Sequence, residues 1–223
     1  DLSLPAKYTT PDAAELHVIL SRMANAGCEY VVMEVSSHAL EQHRVDYVEF
    51  NGAVLTNLTQ DHLDFHITMD NYFRAKSKLF ADLVIGDFAV INQDDAYAEK
   101  FIEVISPTVD IYTYGIKNEA DIRAKDIIFN GDGTNFTCCI KGKEYKVSML
   151  MAGMFSVYNF LAAITTAYAL KFDIEKSIKV LEKISGVAGR FEIINKTKYS
   201  YEKTFSLSYR AMFFCKHMGT ILS

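Results

Sequence analysis

The chain has 223 residues, half of them hydrophobic and 13% aromatic, enough apolar side chain for a real core and too much for disorder. Its 23 basic and 28 acidic side chains leave a net charge of −5, so nothing general draws it to nucleic acid or an anionic membrane. Cys28, Cys138, Cys139 and Cys215 make no C-x-x-C pair, which suits neither a zinc knuckle nor a disulfide framework and points to a reducing, cytoplasmic setting.

No segment reads as a signal peptide, and no apolar run is long enough to cross a bilayer. The chain opens at Asp1 in the loop-like DLSLPAKYTTPD, so a fragment with residues missing upstream is expected. Thr10-Pro11-Asp12 reads as a helix start, with Thr10 as N-cap and proline at the first helical position. Leu16, Ile19, Leu20 and Met23 form one face of that helix, and Gly27 ends it. EYVVMEV (29–35) is a continuous apolar run of the kind buried on both faces of a sheet, and it leads into Ser36-Ser37-His38. GAVLTNLT (52–59) repeats the pattern.

The next helix takes Thr68 as its N-cap. Tyr72, Leu79 and Leu83 recur along it at helical spacing, with Phe73 and Phe80 beside them. Lys76 falls on the same stripe, an ammonium among large apolar side chains. FAVINQDD (88–95) is a third strand running into an acidic loop, followed by a short helix at 97–105 and a strand at 110–114. Strands alternating with helices predict an α/β fold, a mostly parallel sheet with flanking helices. From about Ala120 the pattern alternates around Asn130-Gly131-Asp132-Gly133 and Lys141-Gly142-Lys143, which predicts a small antiparallel meander. Helices at 157–170 and 174–183 then lead to GVAGRFE (186–192).

Ligands of open α/β sheets bind at the carboxyl ends of the strands, where three polar clusters stand: 34–38, 57–66 and 92–95. The second holds DHLDFH, with Asp61, His62, Asp64 and His66 in six residues. That density suits a divalent metal, or a solvated loop of turn residues. Lys76 also has two readings. Its ammonium can snorkel to water past apolar neighbours, or burial can favour a neutral, reactive amine. E-V-S-S-H lacks the glycines of a hydrolase nucleophile elbow, and neither G-x-x-x-x-G-K-[ST] nor G-x-G-x-x-G is present.

YTTPDA, VVMEVSSHAL-x-x-x-RV, TNLTQDHLDFH-x-TM-x-x-Y-x-x-AK-x-x-LF, FSVYNFLAA and GVAGRFE together resemble the Mur ligases, most of all the tripeptide-forming branch, from about Leu4 to Ile194. The resemblance implies a P-loop-NTPase-like central domain at 1–192 and an ADP-forming acid–amino-acid ligase of peptidoglycan synthesis, serving cell shape and division. ATP and Mg2+ would serve it in adding L-lysine or meso-diaminopimelate, through an acyl phosphate, to UDP-N-acetylmuramoyl-L-alanyl-D-glutamate. Glu34 and His62 match the family's magnesium ligands. Thr9, Thr10, Ser36, Gln42 and Arg44 match positions that hold the UDP-muramoyl dipeptide. Asn159 and Arg190 match contacts to the nucleotide's base and phosphates. Lys76 matches the lysine carbamylated by CO2, whose new carboxylate positions a second magnesium beside Glu34 and His62 in the catalytic centre.

Departures are also visible. The family's Walker-type loop is expected upstream of Asp1, and Ser156 stands where asparagine is usual. The tail, 193–223, replaces the start of a C-terminal domain: after GRFEIINK, from 197 on, it is aromatic and unpatterned, as a frame change would leave it, and is expected to pack poorly. The piece by itself is therefore expected to be inactive. A metal-dependent hydrolase built on DHLDFH and Glu34, and a non-catalytic nucleotide-sugar-binding fragment, are the alternatives. Neither nucleic acid nor membrane is an expected partner.

Overall fold

Continuous apolar runs become strands here, and apolar repeats at helical spacing become helices. The computed structural model describes residues 8–60, 63–130 and 133–185, and the backbone of 212–216. In chain order the elements begin with α1 (Ala13–Asn25), β1 (Tyr30–Glu34), α2 (Ser37–Glu41), β2 (Gly52–Leu55), α3 (Leu63–His66) and α4 (Met69–Ala81). They continue with β3 (Phe88–Asn92), α5 (Ala98–Val104), β4 (Asp110–Gly115), β5 (Ile122–Asn130), β6 (Gly133–Ile140) and β7 (Lys143–Met149). Helices α6 (Met154–Ala169) and α7 (Ile174–Leu181) follow, and β8 (Met212–Lys216) is the last.

One compact unit holds the described residues up to Ile91, then Asp95–Ile111, and β8. Its strands lie in the order β1-β8-β2-β3. β2 and β3 pair in parallel, Gly52 opposite Phe88 and Leu55 opposite Ile91. A Cβ on Gly52 would stand 2.3 Å from the Phe88 ring, so glycine is required for this close pairing. β8 runs antiparallel to both β1 and β2, which therefore point the same way. β8 is a departure from the unpatterned tail expected from sequence: MFFCK carries no alternation, and its pairing is wholly non-local. β1 also differs from expectation. Val31 and Val35 are buried but Val32 is 45% exposed, so the strand is covered on one face only.

Helix α1 starts at Ala13, with Asp12 rather than Thr10 at the N-cap. The Thr10 hydroxyl is instead engaged with the end of β1, which moves the helix start along the chain. Gly27, at φ +78, closes α1 as expected. At α4 the Thr68 hydroxyl accepts the Asn71 N–H at 3.2 Å, the anticipated cap. The inward face of α4 buries Tyr72, Ala75, Lys76, Leu79 and Phe80. Phe101 of α5 meets Phe73 and Phe80 edge-on, both at 5.0 Å, and locks the two helices together.

The second unit takes Asn92–Asp94 and the described residues from Tyr112 onward. β4 and β5 pair in parallel for two residues only, Tyr114 with Ile122 and Gly115 with Arg123. A parallel pair normally needs a far longer crossover, so residues 116–121 must double back tightly. β5, β6 and β7 form the predicted antiparallel meander, with a bulge between Lys125 and Ile128. Helix α6 begins one turn earlier than its apolar repeat suggested, at Met154 after Gly153 with φ +95. Phe160 of α6 packs edge-on against Phe136 at 5.2 Å. Among the described residues, no helix is long and apolar enough to cross a membrane.

Candidate active site

The end of β1 is stitched to the chain before α1 by a polar web. Thr10 Oγ1 donates to the Glu34 carbonyl at 2.9 Å and accepts the Ser36 N–H at 3.1 Å. Ser36 Oγ in turn accepts the Ala39 N–H at 3.1 Å and caps α2. The Arg44 guanidinium spans the web: Nη1 donates to the Thr10 carbonyl at 3.2 Å and Nη2 to Gln42 Oε1 at 2.5 Å. Its Nε lies 3.5 Å from Asp12, and its plane sits over the Tyr8 ring at 4.8 Å. Four of the five expected substrate residues, Thr10, Ser36, Gln42 and Arg44, are thus brought together, with Thr9 exposed beside them. Thr10 is 1% exposed, so it stiffens the web from within. The sequence does not mark Asp12 and Tyr8 as partners of Arg44, because only the fold brings them there.

Glu34, at the carboxyl end of β1, is half-buried. Lys76 is 4% exposed, which rules against snorkelling. Its Nζ lies 5.5 Å from the centroid of the Tyr72 ring. Tyr72 stacks on His66 at 5.1 Å, and His66 Nε2 shares a 2.8 Å hydrogen bond with Ser37 Oγ. The neighbouring Lys78 does reach solvent and pairs with Glu41 at 2.7 Å, a bond that holds the Glu41 carboxyl below its ordinary range. Two lysines two positions apart therefore differ in exposure, one buried and one at the surface.

Asp61 and His62 of DHLDFH lie outside the described residues, as does Arg190. Of the others, Asp64 is exposed and His66 is buried against Ser37 and Tyr72. The motif does not act as one four-donor cluster, since His66 is spent as an internal strut. Among the described residues, no three His, Cys, Asp or Glu side chains stand close enough to hold a metal ion. Ile67 follows His66 at φ +67, where the Thr68 N–H reaches the His66 carbonyl at 2.7 Å. This is a tight γ-turn on a β-branched residue, a strained corner between α3 and α4.

The acidic cluster at 92–95 serves backbone. Asp95 accepts the Leu58 N–H at 2.6 Å and the Tyr97 N–H at 2.8 Å, tying together the loops after β2 and β3. Asp94, in the second unit, is closed by amides of its own unit. On α6, Ser156 Oγ donates to the Ala152 carbonyl at 2.9 Å, while Asn159 is exposed.

The profile of the Mur ligase middle domain matches residues 2–167. A UDP-N-acetylmuramoyl-L-alanyl-D-glutamate--2,6-diaminopimelate ligase of Caldanaerobacter subterraneus subsp. tengcongensis is 43% identical over 201 residues, 90% of this chain and 41% of the relative. The protein of that name from Listeria monocytogenes serovar 1/2a is also 43% identical, over 87% of this chain and 40% of its own length. A solved structure of a ligase so named matches with a TM-score of 0.74 at 32% identity, covering 85% of this chain and 39% of that one. A MurF ligase from Thermotoga maritima, solved in complex with ADP, shares the fold at a TM-score of 0.60 and 18% identity, over 73% of this chain and 36% of its own. The chain spans about two-fifths of the length of these curated relatives.

Proposed function

We propose, because this chain belongs to the Mur ligase family and carries its middle domain, that it forms the ATP- and substrate-holding part of an ADP-forming amide ligase. In this reading ATP phosphorylates the glutamate side-chain carboxylate of UDP-N-acetylmuramoyl-L-alanyl-D-glutamate and leaves as ADP. An amino group of the incoming diamino acid then attacks the acyl phosphate, the amide bond forms and phosphate departs. The names of the relatives favour 2,6-diaminopimelate over L-lysine as that amine. The proposed setting is cytoplasmic synthesis of a cell-wall precursor.

One observation carries the reading: Lys76 sits 4% exposed on the inward face of α4, against Tyr72. Burial of this depth raises the cost of carrying an ammonium, while the Tyr72 ring returns only a weak cation–π attraction, and in this proposal burial dominates and the amine is neutral. That amine attacks the carbon of CO2, an N–C bond forms, a proton is lost and a carboxylate replaces the cation. With Glu34 and His62, the modified Lys76 then offers oxygen and imidazole donors of the kind magnesium accepts. Magnesium, when bound, supplies charge neutralisation for the crowded phosphates and alignment of the acyl group. Thr9, Ser36, Gln42 and Arg44 hold the UDP-muramoyl dipeptide in this scheme, over the strut that Thr10 provides. Asn159 and Arg190 take the nucleotide's base and phosphates.

A chimera tests the proposal. Residues 8–185 replace the matching segment of the Listeria monocytogenes relative, and ADP release is followed. The expected turnover requires magnesium, the UDP-muramoyl dipeptide and diaminopimelate together, and Lys76→Ala abolishes it beyond rescue by bicarbonate. A folded chimera without turnover would overturn the reading. Cleavage of a simple phosphoester without ATP would favour the metal-dependent hydrolase instead.

A further inference from the structure

Asp94 and Tyr158 join a loop of the second unit to α6 at the residue before Asn159. The Asp94 carboxylate accepts the N–H groups of Ile116 at 2.6 Å, Lys117 at 3.0 Å and Asn118 at 2.7 Å. The Tyr158 hydroxyl donates to the same carboxylate at 2.8 Å. Asn118 Nδ2 closes the ring by donating to the Gln93 carbonyl at 2.9 Å. Gly115 makes room for this arrangement, since a Cβ there would stand 3.2 Å from the carboxylate. Three backbone amides, one glycine and a neighbouring carbonyl therefore hold Asp94 rigidly, and Tyr158 is bonded to that fixed point.

The polar side chains in the first two turns of α6 have unequal fates. Ser156 bonds back to the Ala152 carbonyl, and Tyr158 goes to Asp94. Asn159 is exposed and its side chain makes no hydrogen bond among the described residues. The rotation of the helix about its axis sets where the Asn159 Cα–Cβ bond points, and so the range its rotamers can sweep. Val157 and Phe160 anchor that rotation in the core, at 0% and 2% exposure. Apolar packing is non-directional, however, and tolerates small rotations that a 2.8 Å bond to a charged acceptor does not.

We propose that Asp94 and Tyr158 are positioning residues, a clasp that fixes the setting of α6 and so aims Asn159 at the base of a nucleotide. This rests on the reading of Asn159 given above. Neither residue touches the ligand; both act through the helix.

The test uses the whole 223-residue chain and two readouts. The first is calorimetric titration with ADP and magnesium of the wild type, Asn159→Ala, Tyr158→Phe, Asp94→Asn and the double variant. Tyr158→Phe removes only a hydroxyl, and its affinity is expected to fall about threefold to tenfold. The double variant is expected to bind no worse than the weaker single one. The second readout is the NMR order parameter of the Asn159 side-chain amide without ligand, expected to drop in Tyr158→Phe. Wild-type affinity and order in Tyr158→Phe overturn the clasp and leave the nucleotide reading standing. A wild type that binds no ADP, or binds it as Asn159→Ala does, overturns the nucleotide reading, and the order parameter then decides the clasp alone.

Discussion

The inner face of α4 and the Asp94 loop both draw a charged group out of water, and they treat it in opposite ways. Burial works against the Asp94 charge, but the amides of Ile116, Lys117 and Asn118 and the Tyr158 hydroxyl outweigh it and hold the carboxyl below its ordinary range. The same partnership, with burial as its largest cause, pushes the Tyr158 phenol up. Lys76 is seated instead against an aromatic ring, on a helix face shared with Leu79 and Phe80. An ion closed by backbone donors stiffens the fold around it, whereas a lysine drawn out of water is the kind of group whose reactivity burial changes.

The comparison breaks first if the seat itself is removed. Phe80 is 1% exposed and meets Phe101 edge-on, so Phe80→Ala is expected to cost about 3–5 kcal/mol in denaturant unfolding. A loss under ~1 kcal/mol would mean that α4 is not anchored as described. Next comes the acid. Asp94→Ala leaves its amide donors without their acceptor and is expected to cost roughly 1–3 kcal/mol. A folded-state pKa lowered from 3.8 gives stability that is full above about pH 4 and is lost as pH falls through the lowered value. Asp94→Asn should flatten that acid limb in melts taken from pH 6 to pH 2, and an unchanged limb would assign it elsewhere.

The lysine sharpens the contrast. Lys76→Met keeps most of the volume without the charge, so its melting temperature should equal or exceed that of the wild type. A large loss would make Lys76 a structural ion like Asp94. The smallest effect is expected at the corner below it. Ile67→Gly removes a β-branched residue from φ +67 and should stabilise the chain by about 1 kcal/mol.

Local patterns carried much of this into the sequence. Thr68 as a cap and Lys76 on the apolar stripe follow from helical spacing alone, and β2 and β3 from runs of apolar residues. What stayed hidden depends on partners far along the chain. Thr10 reads as a helix cap until β1 claims its hydroxyl, and His66 reads as a metal donor until Ser37 and Tyr72 enclose it. Asp94 and Asp95 read as part of a polar cluster at the carboxyl end of a strand, where ligands bind, yet their oxygens accept loop amides. β8 had no signal, since strand pairing of this kind is written in neighbours and not in the strand.

The most direct measurement is a 13C NMR spectrum of the chain in 13C-bicarbonate, beside Lys76→Arg under the same conditions. A protein-bound carbamate resonance in the wild type, absent from the variant, is the result expected of a neutral amine at Lys76. A wild-type spectrum with no such resonance at saturating bicarbonate, or one that survives Lys76→Arg, would contradict the assignment of Lys76 as the reactive lysine.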